Sequence, residues 1–255
     1  MTQLLIYETA VPVSSGRHGK ASIELRKGYG FARGINSVPL MAVEFPQAAP
    51  EYAIVFAQNG AEVLPVVILG ARSGENLYVK EDDSWNANYL PAFVRRYPFI
   101  FSANEDGKTF TLCVDEAFQG LNYLGRGEPL FDAEGKQTPY VDNVLQFLQE
   151  YRAHFLRTQA FCRKLVELDL LEPMRAQFTL GSEKMSLGGF QAVDRAKLKA
   201  LSGDTLAQLA ATDELELIYL HLQSMRNFSV VKDKLVLTRS QQPREEQVEE
   251  APAAA

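Results

Sequence analysis

The chain has 255 residues, of which 46% are hydrophobic and 23% charged, so it can bury a sizeable core and has the composition of an ordinary globular protein. Its net charge is −6, and residues 241–255, with four Glu and one Arg, contribute −3 of it. Nucleic acids and anionic membranes bind to positively charged surfaces, so this charge balance argues against both kinds of partner.

The first 115 residues have the pattern of an antiparallel sheet. Apolar runs on either side of Asn59–Gly60 predict a hairpin, because Asn-Gly supplies the positive φ angles of a type I′ turn. A second hairpin is predicted around Asp106–Gly107. Pro65 indicates an edge strand or a bulge, and residues 75–80 offer a third strand. The absence of βαβ alternation argues against a doubly wound nucleotide-binding sheet.

The turn region near the start of the chain holds His18, between Arg17 and Gly19 and close to Lys20. Arg17, His18 and Lys20 form a small basic cluster. A loop histidine is a candidate ligand or base, but a solvated or backbone-bonded histidine is the commoner outcome. We therefore keep both interpretations of His18.

The densest stretch is WNANYLPAFVRRYPF, residues 85–99, which holds the only Trp and the pair Arg95–Arg96. Large rings and neighbouring Arg side chains suit either the centre of a core or the floor of a binding site. We predict a short helix from Tyr89 to Tyr97 that ends before Pro98. The two Arg side chains can reach solvent, a buried acid or an anionic ligand. With His18, the candidate ligand- or partner-binding residues are Trp85, Tyr89, Arg95, Arg96 and Tyr97.

The second half changes to a helical period. Apolar residues at steps of three and four predict a long helix over 142–171, which Glu172–Pro173 would stop. The runs RAQFTL and KMSLGGF, on either side of Gly181–Ser182, predict two short strands.

Three further helices are predicted to open at Asp194, Asp204 and Asp213, each as an N-cap. The last helix carries His221 between two Leu, which predicts a hydrogen-bonded residue of the core or its rim. The expected architecture is α+β in one domain, residues 1–240, strand-rich over 1–115 and mainly helical over 140–230. The Glu-, Pro- and Ala-rich residues 241–255 are predicted to be a disordered acidic tail.

Signatures of known chemistry are missing from the sequence. There is no P-loop, no HExxH and no GxSxG, and the three histidines lie far apart, so we expect neither a metal site nor a cofactor. Cys113 and Cys162 lie in apolar surroundings and predict two buried free thiols. No apolar run has the length of a membrane span and no signal peptide is recognisable, so a cytoplasmic location is expected.

Several stretches together resemble the SapC family of bacterial proteins. They are VPVSSGRHGKASI, VPLMAVEFPQAAPEYAIVF, LGARSGENLYV, WNANYLPAFVRRYPF, GEPLFDAEGKQTP, LLEP, LGGFQAVDRAKLKAL and IYLHLQSMRNF. The resemblance implies an association with a surface-layer locus and an accessory role, and it supplies no catalytic residue. The peptide-transport permease of the same name is a different protein, because a mean hydropathy of −0.15 and the lack of spans do not suit a permease.

Two functional hypotheses follow. In the first, the chain is a non-catalytic binding or accessory protein with a groove beside Trp85 for a peptide, a glycan or another protein. In the second, it is an enzyme or enzyme partner acting on a peptide or a small anionic substrate, with Arg95 or Arg96 binding a carboxylate and His18 or a Tyr acting as acid or base. A deep pocket joining His18, Trp85 and the Arg pair would favour the second hypothesis, and a shallow apolar groove the first.

Overall fold

The structure is a computed structural model that describes residues 5–24, 28–60, 62–103, 109–180 and 183–241. Its strands are β1 Ala10–Pro12, β2 Ser22–Ile23, β3 Ser37–Pro39, β4 Ile54–Asn59, β5 Glu62–Ile68, β6 Phe99–Ala103, β7 Phe110–Asp115, β8 Leu121–Asn122, β9 Glu128–Pro129, β10 Leu171–Leu180 and β11 Glu183–Val193. Its α-helices are α1 Ser15–His18, α2 Phe45–Ala48, α3 Ala92–Arg95, α4 Pro139–Glu167, α5 Arg195–Ala200, α6 Gly203–Ala211, α7 Glu214–Ser224 and α8 Phe228–Gln241. Short 3₁₀ turns cover Gly30–Ala32, Ala42–Glu44 and Met225–Asn227.

The strands form three antiparallel sheets. The largest has the order β10-β11-β4-β5-β3, and the two smaller ones have the orders β1-β7-β6 and β8-β2-β9. The sheets lie mainly in the first half of the chain and the helices mainly in the second, so the predicted α+β class is confirmed. The hairpin β10–β11 is the exception, because Phe190 pairs with Ala57 and so joins the second half to the main sheet.

The hairpin predicted at Asn59–Gly60 is confirmed, with Asn59 opposite Glu62 and Gly60 at a φ of 64°. Pro65 predicted an edge strand or a bulge, and the structure shows neither, because β5 lies between β4 and β3 and its register with β4 has no shift at Pro65. The Pro65 carbonyl accepts from the amide of Leu40, just past the end of β3. The missing N–H of Pro65 therefore faces the place where the ladder with β3 stops, and the proline is tolerated there.

The second predicted hairpin is confirmed as the pair β6–β7, although its turn at Asp106–Gly107 lies outside the described residues. The strand predicted over 75–80 is wrong. That segment makes only an isolated bridge between Val79 and Trp85, because its backbone follows a loop and not the edge of a sheet.

The long helix is confirmed but ends earlier than predicted, at Glu167. Asp169 has a φ of 50°, which turns the chain, and Glu172–Pro173 then belong to β10 instead of stopping a helix. The two short strands predicted beside Gly181–Ser182 are in fact strands of 10 and 11 residues, because their mutual pairing carries the extended backbone beyond the apolar runs.

Only one of the three predicted Asp caps is confirmed. The Asp194 side chain accepts from the amides of Ala196 and Lys197 at the start of α5. Helix α6 is capped instead by Ser202, and Asp213 precedes α7 with a positive φ and no side-chain cap bond. The residues predicted to be disordered from 241 onward lie, except for Gln241, outside the described residues.

Buried polar contacts tie the C-terminal helices to the sheet half. The Ser224 hydroxyl accepts from the Ile54 amide at 3.0 Å, and the Asn227 amide group donates to the carbonyls of Ala49 and Tyr52 at 2.7 and 2.8 Å. Helix α4 packs on β5, and its Phe161 lies against Phe56 of β4. These contacts join the two halves through one core.

We therefore propose that residues 1–240 unfold as one cooperative unit. Limited proteolysis is expected to yield no pair of separately stable halves, since a cut near residue 130 would expose the shared core. Mass spectrometry of the fragments, with thermal melts of any that persist, checks this. Two stable fragments meeting near residue 130 would contradict it.

Candidate functional site

The stretch 85–99 is mostly bends, turns and irregular backbone, and its helix is shorter than predicted. Helix α3 covers only Ala92–Arg95, so the prediction of helix from Tyr89 to Tyr97 is wrong outside those four residues. Two side chains from elsewhere accept backbone N–H groups before and at the start of α3. Glu51 accepts from the Tyr89 amide at 3.0 Å, and Glu44 accepts from the Ala92 amide at 2.7 Å.

Trp85 lies half-buried at the side of an aromatic cluster. Its Nε1–H donates to the Tyr52 hydroxyl at 2.8 Å, and that hydroxyl donates to the Tyr89 carbonyl at 2.5 Å. The indole centroid is 5.8 Å from the ring of Tyr29 and 6.2 Å from that of Tyr78. Ring contacts and the hydrogen bond from Nε1–H thus both fix the Trp85 side chain, and part of its surface remains accessible.

An open groove of about 450 Å³ runs past this side of Trp85. Its wall includes the aromatic residues Trp85 and Tyr78, the amides Asn86 and Asn88, and the charged residues Glu51 and Lys234. We call it the Trp85 groove. It differs from the purely apolar groove that sequence reasoning considered, because charged and amide groups surround the rings.

Lys234, on α8, is the cation of the Trp85 groove. Its Nζ donates to the Asn86 carbonyl at 3.1 Å and lies 4.4 Å from the centroid of the Tyr78 ring. Burial lowers the pKa of Lys234, and it forms no ion pair within the described parts of the chain. The ammonium therefore has donor capacity that its protein neighbours do not fill.

Glu51 braces the groove from the opposite side. Its carboxylate accepts from the backbone and side-chain nitrogens of Asn88, at 3.0 and 2.5 Å, and from the Tyr89 amide. These bonds fix the backbone of residues 88 and 89 beside the groove. Glu51 is thus engaged by its own protein and is not the group that would receive a ligand.

The Arg pair separates completely. Arg95 is exposed and lies over the rings of Tyr89 and Phe147, at 6.0 and 5.5 Å from their centroids. Arg96 is buried, with 7% of its surface exposed, and lies 4.3 Å from the centroid of the Phe93 ring. Of the three destinations considered from sequence, Arg95 reaches solvent. Arg96 faces rings, and no acid lies within ion-pair distance of it among the described residues.

Tyr89 and Tyr97 both make contacts inside the protein. The Tyr89 hydroxyl donates to Glu44, a buried carboxylate, at 2.7 Å, and burial together with this acid raises the pKa of Tyr89. Tyr97 is buried and stacks on Phe31 with centroids 4.0 Å apart, and burial raises its pKa as well. Neither residue lines the Trp85 groove.

His18 is buried at the end of α1, so the solvated interpretation is wrong and the backbone-bonded one is confirmed. Its Nδ1 accepts from the Ser14 amide at 3.3 Å, and its Nε2 lies 3.2 Å from Glu116. Arg17 holds Glu116 from the other side and lowers the pKa of that carboxyl. His18 does not line the Trp85 groove. It lies instead beside Glu116, the residue that follows the end of β7.

A second cavity of about 470 Å³ lies between α4 and the main sheet. Glu62 crosses its mouth, with Gln159 donating to it and Arg163 at 3.7 Å. Cys162 borders the cavity, and burial raises the pKa of its thiol to about 12, so the thiolate nucleophile is scarce at neutral pH. Both cysteines are buried and free, as predicted.

Within the described ranges, no three His, Cys, Asp or Glu side chains come close enough together to hold a metal ion. Among the same residues, no helix combines the length and the apolar character needed to cross a bilayer.

Sequence reasoning missed Lys234 and Glu51, which lie far from Trp85 along the chain. The one available signal was the basic residue in the apolar pattern of α8, and such a residue is usually solvated.

Over residues 13–230, the chain matches the sequence model of the SapC family. No curated protein and no solved structure matches it.

Proposed function

We propose, from the premise that this chain belongs to the SapC family, that it is a non-catalytic binding protein whose Trp85 groove receives a segment of a protein partner. The open groove, with its aromatic wall and its cation Lys234, is the observation that carries the proposal. The family association points to an accessory role in surface-layer or cell-envelope functions, acting from the cytoplasm.

The chemistry of the groove favours an extended peptide with an acidic side chain. Lys234 can donate to a carboxylate, and the exposed Asn86 and Asn88 offer amide groups suited to peptide N–H and C=O. The partly exposed ring of Trp85 provides apolar area beside them, and aromatic residues are frequent anchors of interfaces.

An enzymatic role receives less support. The acid–base candidate His18 and the carboxylate-binding candidates Arg95 and Arg96 are absent from the groove lining. Substrate binding and proton transfer would then lie in different places, whereas a general base must be within hydrogen-bond reach of the proton that it removes. This arrangement supports the binding hypothesis over the enzymatic one.

The test uses Lys234→Met, which removes the charge and keeps a side chain that can cover Tyr78. Lys232→Met is the matched control, since Lys232 lies on the same helix and is exposed. A photo-reactive residue in place of Asn86 crosslinks the bound segment from a native lysate, and a synthetic copy of that segment is then titrated. We expect Lys234→Met to weaken its binding about 10- to 100-fold, the loss of one charge-assisted hydrogen bond, and Lys232→Met to bind as the wild type.

Equal binding by both variants would contradict the proposal. If no protein is crosslinked, and a glycan binds the wild type but binds Lys234→Met more weakly, the ligand of the groove is a carbohydrate and not a peptide. Thermal melts of both variants check that neither change unfolds the chain.

A further inference from the structure

Arg96 is an anomaly among the buried polar residues. Arg96 is 93% buried, since only 7% of its surface is exposed. Its Nε and Nη2 atoms nevertheless have no hydrogen-bond partner. No other fully buried side-chain nitrogen or oxygen in the described part of the chain is left in this state. Native proteins rarely leave such donors unpaired, so an unpaired pair of them calls for a physical reason.

Aromatic rings surround the guanidinium, and the Tyr7 hydroxyl lies within hydrogen-bond reach of it, but Nε and Nη2 are left without an acceptor. The centroids of Phe93, Tyr151 and Tyr7 lie 4.3, 4.9 and 5.6 Å from the Arg96 guanidinium carbon. Ring faces attract a cation through their quadrupole. The N–H groups of a guanidinium, however, point outward in its plane, toward the edge, where an oxygen acceptor is needed.

The buried carboxylates of the described residues each accept three hydrogen bonds from other donors. Glu44 accepts from the Met41 amide, the Ala92 amide and the Tyr89 hydroxyl. Asp115 is likewise fully buried and accepts from the backbone amides of residues 8, 9 and 117. Neither forms an ion pair with Arg96, so the buried cation has no direct anionic partner among the described residues.

The two unpaired nitrogens share one edge of the guanidinium. Nε–H and the adjacent Nη2–H point the same way, and this fork binds two oxygens of one carboxylate or phosphate through parallel hydrogen bonds. Buried cations are normally paired, because leaving water without compensation is expensive. The free edge of Arg96 therefore has the geometry to bind an anionic ligand. The burial of the charge explains why binding such a ligand would be favourable.

We propose that Arg96 is the anchor of a binding site for a small oxyanion, held side-on by Nε and Nη2 within the cage of Phe93, Tyr7 and Tyr151. The shared chemistry is two oxygens on one atom, as in a carboxylate, a phosphate or a sulfate. The 7% exposure limits the occupant to a small ion or the tip of a larger molecule. The site is separate from the Trp85 groove and does not depend on the proposed partner binding.

The experiment measures the melting temperature of the full chain in rising acetate, phosphate or sulfate, with chloride at matched ionic strength as the reference. An anion that binds only the native state is expected to raise Tm in a saturable way, by about 3 to 6 °C at ten times its Kd. The acetate arm and the two tetrahedral arms distinguish a carboxylate from a phosphate-like occupant. Arg96→Met should abolish the response, and Arg95→Met, the exposed neighbour, should keep it.

The wild type provides an independent measurement in case Arg96→Met does not fold. The buried guanidinium should give a slowly exchanging Nε–H resonance, and this resonance should shift with the same saturation curve as Tm. No Tm rise above the chloride reference with any of the three anions would overturn the proposal. An equal rise in Arg96→Met, or an unmoved Nε–H signal at saturation, would overturn it as well.

Discussion

Lowering the pH from 7 to 5 is expected to reduce the free energy of unfolding by about 2 kcal/mol through His221 alone. His221 is fully buried on α7 and joins two strands of the main sheet. Its Nδ1–H donates to the Ile54 carbonyl of β4 at 2.8 Å, and its Nε2 accepts from the Val193 amide of β11 at 3.0 Å. The bond to Val193 requires the neutral ring, because a proton on Nε2 would face the Val193 N–H, whereas the bond from Nδ1–H to Ile54 is compatible with either charge state.

The sign follows from the two states of this ring. Burial lowers the pKa of His221 from 6.5 to about 4 in the folded protein. Between these values the unfolded chain binds a proton that the folded chain does not, so stability falls as the pH falls through this window. Well above pH 6.5 the ring is neutral in both states and its contribution to stability no longer changes.

Chemical denaturation at pH 7, 6 and 5 measures this effect. His221→Gln should be less stable at pH 7, since it disturbs two buried hydrogen bonds, but its stability should fall less steeply with acid. His154→Gln, on the partly exposed part of α4, is the control and should keep the wild-type dependence. A wild-type slope retained by His221→Gln would show that another group governs the acid sensitivity.

The second large effect is expected from Glu44→Ala, with a loss of about 3 kcal/mol or more of unfolding free energy. The carboxylate of Glu44 is buried, and its removal leaves the Met41 and Ala92 amides and the Tyr89 hydroxyl without an acceptor. Each buried donor left unpaired costs about 1 to 3 kcal/mol. The measurement is the denaturant midpoint, with the m-value checked for constancy.

Glu51→Ala is the matched control for Glu44→Ala. Glu51 also accepts from backbone amides, those of Asn88 and Tyr89, but its side chain is only partly buried. Water can take its place, so the expected loss is about 1 kcal/mol or less. Equal losses for the two variants would show that burial does not govern the effect of Glu44.

The local elements of the fold could be predicted wherever a short pattern carries its own physical reason. Asn59 ends β4 and Gly60 supplies the positive φ of the hairpin turn, and the apolar period along α4 requires a helix with one buried stripe. The limits of elements were less predictable. Residues 171–173 became strand because pairing with β11 competes with helix continuation, and this competition is not visible within a short window.

The candidate site shows the same division at the level of single residues. Arg95 and Arg96 are chemically identical neighbours, and α3 directs one to solvent and the other into a cage of rings from distant segments. Lys234 meets the Trp85 stretch only because α8 packs beside it. No sequence pattern distinguishes these residues from ordinary surface cations.

The sequence by itself determined the α+β class, the hairpin turn at Asn59–Gly60, the long helix and the family resemblance, because these depend on residue type and near-neighbour spacing. The tertiary structure alone decided which polar groups lose water. It buried His18, Glu44 and Arg96, left Arg95 exposed, and placed Lys234 beside Trp85. Burial is a property of contacts between segments far apart in the chain, so the chemistry of the site becomes readable only after the chain has folded.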